Sequence, residues 1–159
     1  MKGKFIAIVT LAAATAFAPA PILAVGDSTP APAAAKADPD FEAGKAAISS
    51  QNWSEAIGYF SKVAVRDPQN ADAQNWLGYA NRKSGNLDLA FKHYHEALRL
   101  DPKHRGAHEY IGEAYLMKGD VAKAKEHLAR LDRLCFFGCE EYSDLKKAIA
   151  EHEQQRSSR

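Results

Sequence analysis

Cys135 and Cys139 carry the most readily named chemistry, being the chain's two cysteines. Their C-x3-C spacing differs from the C-x2-C of dithiol redox enzymes and from the C-x2-C-H of haem attachment. Three uses stay open. One is a disulfide across a short loop, which Gly138 would let turn tightly. Another is a pair of free structural thiols. The third is a redox or soft-metal site, for example for Cu(I). The disulfide is the expected state.

Six histidines raise a second question. His104 and His108 are four residues apart, on one face of a helix, a spacing that can serve zinc. No H-E-x-x-H accompanies them and no third ligand stands nearby. His93 and His95, two apart, point in different directions on a helix. Solvated helix-surface histidines are the expectation. The chain has no nucleophile elbow, no phosphate loop and no paired-carboxylate constellation. The residues therefore predict a protein that is not an enzyme and needs no cofactor, no metal and no small-molecule substrate.

Composition narrows the class. Of 159 residues, 26% are charged and 46% apolar, which suits one modest globular domain. A formal charge of +1 argues against a dedicated nucleic-acid binder, which would show a basic excess. The two cysteines exclude a disulfide-rich scaffold and a four-thiolate zinc site.

Residues 1–26 read as a secretory signal peptide. Lys2 and Lys4 form a charged start, Phe5 to Ala18 is apolar apart from Thr10 and Thr15, and small residues and prolines follow. Cleavage after Ala18 or Ala20 would leave Pro first, so a cut after Ala24 or Gly26 is expected. The apolar run falls short of the ~20 residues a spanning helix needs, which disfavours an uncleaved anchor. The expected destination is periplasmic or secreted, with membrane contact only through the signal peptide before cleavage. Residues 27–38, DSTPAPAAAKAD, have no apolar periodicity and read as a flexible tether.

The elements that must position any site are repeats. Gly44, Gly78 and Gly112 are 34 residues apart, as are Ala56, Ala90 and Ala124, and Phe60, Tyr94 and Leu128. Asp67-Pro68 and Asp101-Pro102 keep the same interval, as do Gly85 and Gly119, and Asn52, Asn86 and Asp120. Each unit reads as two helices. In the second, Asn70 caps the first helix and Ser84-Gly85 ends it, because glycine tolerates the left-handed conformation there. Asn86 caps the next helix, with Leu87, Ala90, Tyr94, Ala97 and Leu98 on one face, and Asp101-Pro102 stops it. Asn52-Trp-Ser-Glu55 reads as a capping-box variant. Small residues at the Gly and Ala columns let helix axes approach closely.

This pattern resembles the tetratricopeptide repeat (TPR) family, whose signature is W-x2-L-G-x2-Y, then A-x3-F, then P. The second repeat carries Leu77-Gly78, Gly85, Ala90, Tyr94, Ala97 and Pro102. The third carries Ile111-Gly112, Tyr115, Gly119, Ala124 and Leu128. The first carries Gly44, Trp53, Ala56, Phe60 and Pro68. Asp40 and Ala43 stand at large apolar columns, so the first helix should pack least tightly, and Phe136 stands where proline is expected.

The resemblance implies an all-α fold: a right-handed superhelical stack of three helix-turn-helix repeats plus a C-terminal capping helix. The repeats would span about 37–70, 71–104 and 105–136 within a domain of 39–155. A helix over 139–154, with Tyr142, Leu145, Ala148 and Ile149 on one face, would cap them. The resemblance also implies a protein–protein interaction module that binds a peptide or helix on its concave face, as an adaptor or scaffold. Lys45, Asn75, Tyr79, Arg82, Glu109 and Glu113 would face the partner. Tyr79 is the best single contact, and Trp76 divides equally between contact and core. Some relatives grip a terminal carboxylate with a basic clamp. Its positions here are Phe41, Lys45, Trp76, Gly106 and Tyr110, and only Lys45 is basic. The alternative from another class is a periplasmic thiol-redox or copper-handling protein using Cys135 and Cys139.

Overall fold

The computed structural model describes residues 38–158; the expected signal peptide and nearly all of the expected tether lie outside them. Seven helices follow one another: α1 Pro39–Ser49, α2 Trp53–Arg66, α3 Ala71–Lys83, α4 Leu87–Leu100, α5 Arg105–Met117, α6 Val121–Leu134 and α7 Glu140–Ser157. Among the described residues there are no strands. Successive helices pair antiparallel as α1/α2, α3/α4 and α5/α6, each pair packs on the next, and α7 lies against α5 and α6. The result is the right-handed superhelical stack, with α1, α3, α5 and α7 along its concave side.

The turns explain the repeat. After α3, the Gly85 N–H donates to Arg82 O and the Asn86 N–H to Asn81 O, with Gly85 at φ 84°. After α5, Gly119 at φ 79° and Asp120 bond back to Leu116 and Tyr115 in the same pattern. This is the glycine ending that satisfies the last carbonyls of a helix. The first hairpin makes the same two bonds through Gln51 and Asn52, although Gln51 must take φ 56°.

The caps differ from expectation in two places. Asn52 and Asn86 sit at N-cap positions, but neither side chain bonds to the helix, so the capping box at Asn52–Glu55 does not form. The preceding turn holds both helix starts instead. Asn70 caps α3 by accepting from the Ala73 N–H, as read from sequence. Asp38 caps α1 and, with Asp40, receives a two-pronged Arg66 guanidinium at 2.6–2.8 Å. Asp40, out of place in an apolar column, thus fastens α2 to the start of α1. Even so, α1 buries only Gly44 and Ala47, against seven residues each of α3 and α5, so among the first helices of the three repeats it packs least tightly, as expected.

Each glycine of the Gly44 column makes room for one large side chain. A Cβ at Gly44 would lie 2.7 Å from the Phe60 ring, and one at Gly78 would lie 2.5 Å from the Tyr94 ring. Phe60 and Tyr94 are fully buried in these notches. At Gly112 the occupant changes: a Cβ there would meet Leu145 of α7 at 2.6 Å, not Leu128 of α6. The sequence explains why α7 fits. Leu77, Ile111 and Leu145 are 34 apart, and so are Ala80, Ala114 and Ala148. The capping helix therefore keeps the register of a first helix.

Candidate functional site

The concave side is built from the inward faces of α3, α5 and α7, and its centre is aromatic. Tyr79 packs on Tyr110 with ring centroids 4.9 Å apart, on Trp76 at 5.6 Å and on Trp53 at 6.2 Å. Trp76 also stacks on the buried Phe60 ring at 5.9 Å. It therefore serves as core on one face and as groove wall on the other. Tyr79, Trp76 and Tyr110 are all half-buried, so each keeps part of its ring uncovered.

Arg82 stands differently from expectation. It is 9% exposed, forms an ion pair with Glu113 at 2.6 Å, and donates from Nε to the Tyr94 hydroxyl at 3.3 Å. Its guanidinium also lies over the Tyr79 and Tyr110 rings at 5.3 and 5.7 Å. Burial works against the charge, but Tyr94 and Glu113 outweigh it and hold the pKa above the ordinary arginine value. The Tyr94 hydroxyl, itself buried, is pushed upward. The resemblance offered Arg82 to a partner; the structure turns it inward, because Tyr94 is a tyrosine where the first repeat has Phe60. The hydroxyl needs a polar partner inside the stack, and Arg82 is one turn away from Tyr79.

Asn75 and Glu109, expected on the surface, are also buried, at 3% and 8% exposed. They share one column of the 34-residue register, as Trp76 and Tyr110 share the next. Glu113 is half-buried, and Lys45 is engaged with Glu42 at 2.9 Å on its own helix. Asn75, Tyr79, Arg82, Glu109 and Glu113 therefore sit on neighbouring helices of one face, while Lys45 stands apart on α1.

His93, His104, His108 and His127 correct the expectation of a solvated surface, while His95 is exposed as expected. His104 caps α5, its Nδ1 accepting from the Ala107 N–H, which leaves Nε2 to donate to Asp72 at 3.0 Å. The same bond holds the Asp72 carboxyl below its usual range. His108 donates from Nε2 to Pro102 O at 3.1 Å and accepts at Nδ1 from His127 Nδ1 at 2.9 Å. His108 is 7% exposed. The missed cue is again the register: His104 occupies the Asn70 cap column, and His93 and His127 share a column facing Gln74 and His108.

These groups give opposing pH responses. Burial, then the Glu113, Asp144 and Glu141 carboxylates, push Glu109 up to about 8, against the opposing pull of Arg82. Burial, then His108, push His127 down to about 4, and burial lowers His93 and His108 as well. A raised carboxyl contributes stability that is full below its unfolded pKa and lost as pH rises through the folded one. A lowered histidine contributes stability present above its unfolded pKa of about 6.5 and lost as pH falls toward the folded one. The two slopes oppose each other below about pH 6.5, and above it Glu109 acts alone. Glu109→Gln should therefore remove the stability loss between pH 6.5 and 8, and should stabilise the fold at pH 8 by roughly 1–2 kcal/mol. Urea unfolding across that range measures it. A variant with an unchanged slope would show that Glu109 is ionised and solvated.

The cysteine sulfurs lie 2.07 Å apart, with Cα atoms 5.5 Å apart, and Gly138 between them has φ 86°. The tight turn is thus glycine's, as its position suggested. Phe136 and Phe137 stand at the loop's apex, 87% and 97% exposed.

Models of the tetratricopeptide repeat match residues 41–103 and 81–149. No curated protein matches the chain. Solved structures of similar fold include the Yersinia enterocolitica type III secretion chaperone SycD in complex with a peptide of the translocator YopD. It is 21% identical, with 73% of this chain and 88% of that one covered and a TM-score of 0.62. The TPR2B domain of yeast Sti1, solved as a pHsp70 complex, is 19% identical over 73% of this chain and 94% of that one, with a TM-score of 0.66. The first TPR of Spaghetti (RPAP3), bound to the HSP90 peptide SRMEEVD, is 21% identical over 70% and 88%, with a TM-score of 0.63. At these identities the likeness is one of fold. The repeat models, the 34-residue register and the paired-helix stack agree, and the chain belongs to the tetratricopeptide repeat family.

Proposed function

We propose that this protein is an exported adaptor that binds a peptide or helix of a partner protein on its concave face and catalyses no reaction. The observation that carries this reading is the half-buried aromatic row Tyr79, Trp76 and Tyr110 on the first helices. An aromatic with a polar tip tolerates water when free and buries a large area when covered, which is why such residues dominate binding hot spots. The similar folds that hold peptides support the same reading.

A photo-crosslinking amino acid placed at Tyr79 should join the partner in the cells that make the protein. The same group at Lys92, exposed on the second helix α4, should not. Adducts at 92 and none at 79 would move binding to the convex side.

Export and the joined cysteines belong to the same proposal. A bonded Cys135–Cys139 pair offers no thiolate to ligate copper. The loop is short, so its unfolded-state effect should be below the ~3 kcal/mol of a 15-residue loop. Its effect is to fasten α7. The intact mass of cell-derived protein, taken after thiol alkylation, reads both points at once. The expected species lacks residues 1–24 or 1–26 and takes up no alkyl group. A full-length mass would exclude cleavage, and two alkyl groups would favour the thiol reading.

A further inference from the structure

Beside the aromatic row, a cavity of about 340 Å³ opens between α3, α5 and the start of α7. Its buried members are Asn75 and Glu109, Trp76 and Tyr110 form an aromatic wall with centroids 6.4 Å apart, and Glu140 and Asp144 stand exposed at its edge. Two further acids there are already answered: Asp72 by His104 at 3.0 Å, and Glu141 by Arg105 at 3.5 Å. Glu109, Glu140 and Asp144 have no ion-pair partner among the described residues. Independently of these carboxylates, Asn75 Oδ1 is buried with no hydrogen-bond partner. A buried acceptor left unsatisfied costs free energy that a donor entering the cavity would recover.

We propose that this cavity receives an arginine side chain of the bound segment, its guanidinium meeting Asn75 Oδ1, Glu109 and Asp144. The proposal rests on the concave-face reading above and names what that face selects. The guanidinium fits on three counts. It carries five donors in a planar fork and no acceptor, matching a set of acceptors from three helices. Its flat face suits the Trp76–Tyr110 wall. It is weakly hydrated for a cation, so it enters a half-buried site more readily than an ammonium group does. The titratable groups around Glu109 all bear on the pH response: Asp72, Tyr79 and Arg82 on α3, His104 at the α5 cap, Tyr110 and Glu113 on α5, and Glu140, Glu141 and Asp144 on α7. An arriving cation reverses the local balance, so Glu109 should release a proton as arginine binds.

The test is a titration of the full isolated chain, followed by amide NMR shifts, with acetyl-Gly-Arg-Gly-amide as probe. The counterparts carry lysine or norleucine at the centre, and calcium chloride is a fourth arm. The arginine probe should give saturable shifts confined to α3, α5 and the first turns of α7. Lysine should bind more weakly and norleucine not at all. Asp144→Asn, on the exposed edge where folding is not at stake, should weaken binding about tenfold or more, as should Glu109→Gln. Glu55→Gln on α2 should leave it unchanged. Calorimetry in two buffers at pH 7 should show proton release that Glu109→Gln abolishes.

Shifts spread over all acidic surfaces, equal binding by norleucine, indifference to Asp144→Asn, or saturation of the cavity by calcium with no arginine binding would each overturn the proposal. If the arginine probe fails while crosslinking at position 79 still captures a partner, the cavity assignment falls and the groove reading survives. If the probe binds in the cavity and crosslinking fails, the cavity takes a guanidinium but the bound-segment proposal falls with the groove reading.

Discussion

Leu145→Ala should lower the stability of the fold by about 3 kcal/mol, within the range for truncating a buried leucine whose surroundings cannot collapse. Leu145 is fully buried, and its methyl groups fill the space that Gly112 leaves open. The notch has a backbone floor, so it stays open when the leucine is shortened. The damage should be local before it is global. Tyr142, Ala148 and Ile149 share the Leu145 cluster with Leu116 and Leu131, so loosening α7 uncovers the end of the third repeat. Hydrogen exchange should accelerate across α7 and α6 while α1 to α3 hold their protection. A loss below about 1 kcal/mol would mean that α7 is a passive appendage.

Glu113→Ala should cost about 3 kcal/mol, because it leaves the Arg82 guanidinium buried with no counter-charge. Only 10% of the Arg82 side chain is exposed, so water cannot take the place of the carboxylate. The companion variant Arg82→Met with Glu113→Leu should recover most of the loss, since an apolar pair of similar volume needs no desolvated charge. Tyr94→Phe, which removes the acceptor of Arg82 Nε, should fall between the two at about 1 kcal/mol. If Glu113→Ala is as stable as the parent, Arg82 has turned to solvent and is free for a partner. Thermal unfolding of these chains at pH 7 decides the matter.

The contrast between these predictions shows what the sequence made legible. The stack followed from the 34-residue columns because helix ends and close helix approaches have few chemical solutions. Gly85 and Gly119 supply a left-handed residue, and Gly44, Gly78 and Gly112 supply missing side chains. Even Gln51 could not hide the first turn, because Asn52, Trp53 and Ala56 fixed the register around it. The site was only partly legible. Tyr79 was found because it projects partly away from the Leu77 and Ala80 side of its helix. Arg82, Asn75 and Glu109 were placed on the partner-facing surface by the resemblance, and all three are buried. What buries them is the neighbouring hairpin, and helical periodicity within one element carries no information about the next. His104 and His108 were misplaced for the same reason. Reading the columns across repeats, Asn75 with Glu109, Trp76 with Tyr110 and Asn70 with His104, would have exposed the shared roles.

The nearest-neighbour packing of the stack has a mechanical consequence. Each hairpin touches little besides the next one along the chain, so the array behaves as links in series, and its ends can open without consulting the far side. A segment lying along α3, α5 and α7 crosses three links at once. It acts as a splint: the free energy of binding is spent partly on coupling units that otherwise know only their neighbours. Occupancy should therefore sharpen unfolding into a more nearly all-or-none event, and slow the fraying of α7 more than that of α1, which the splint does not reach.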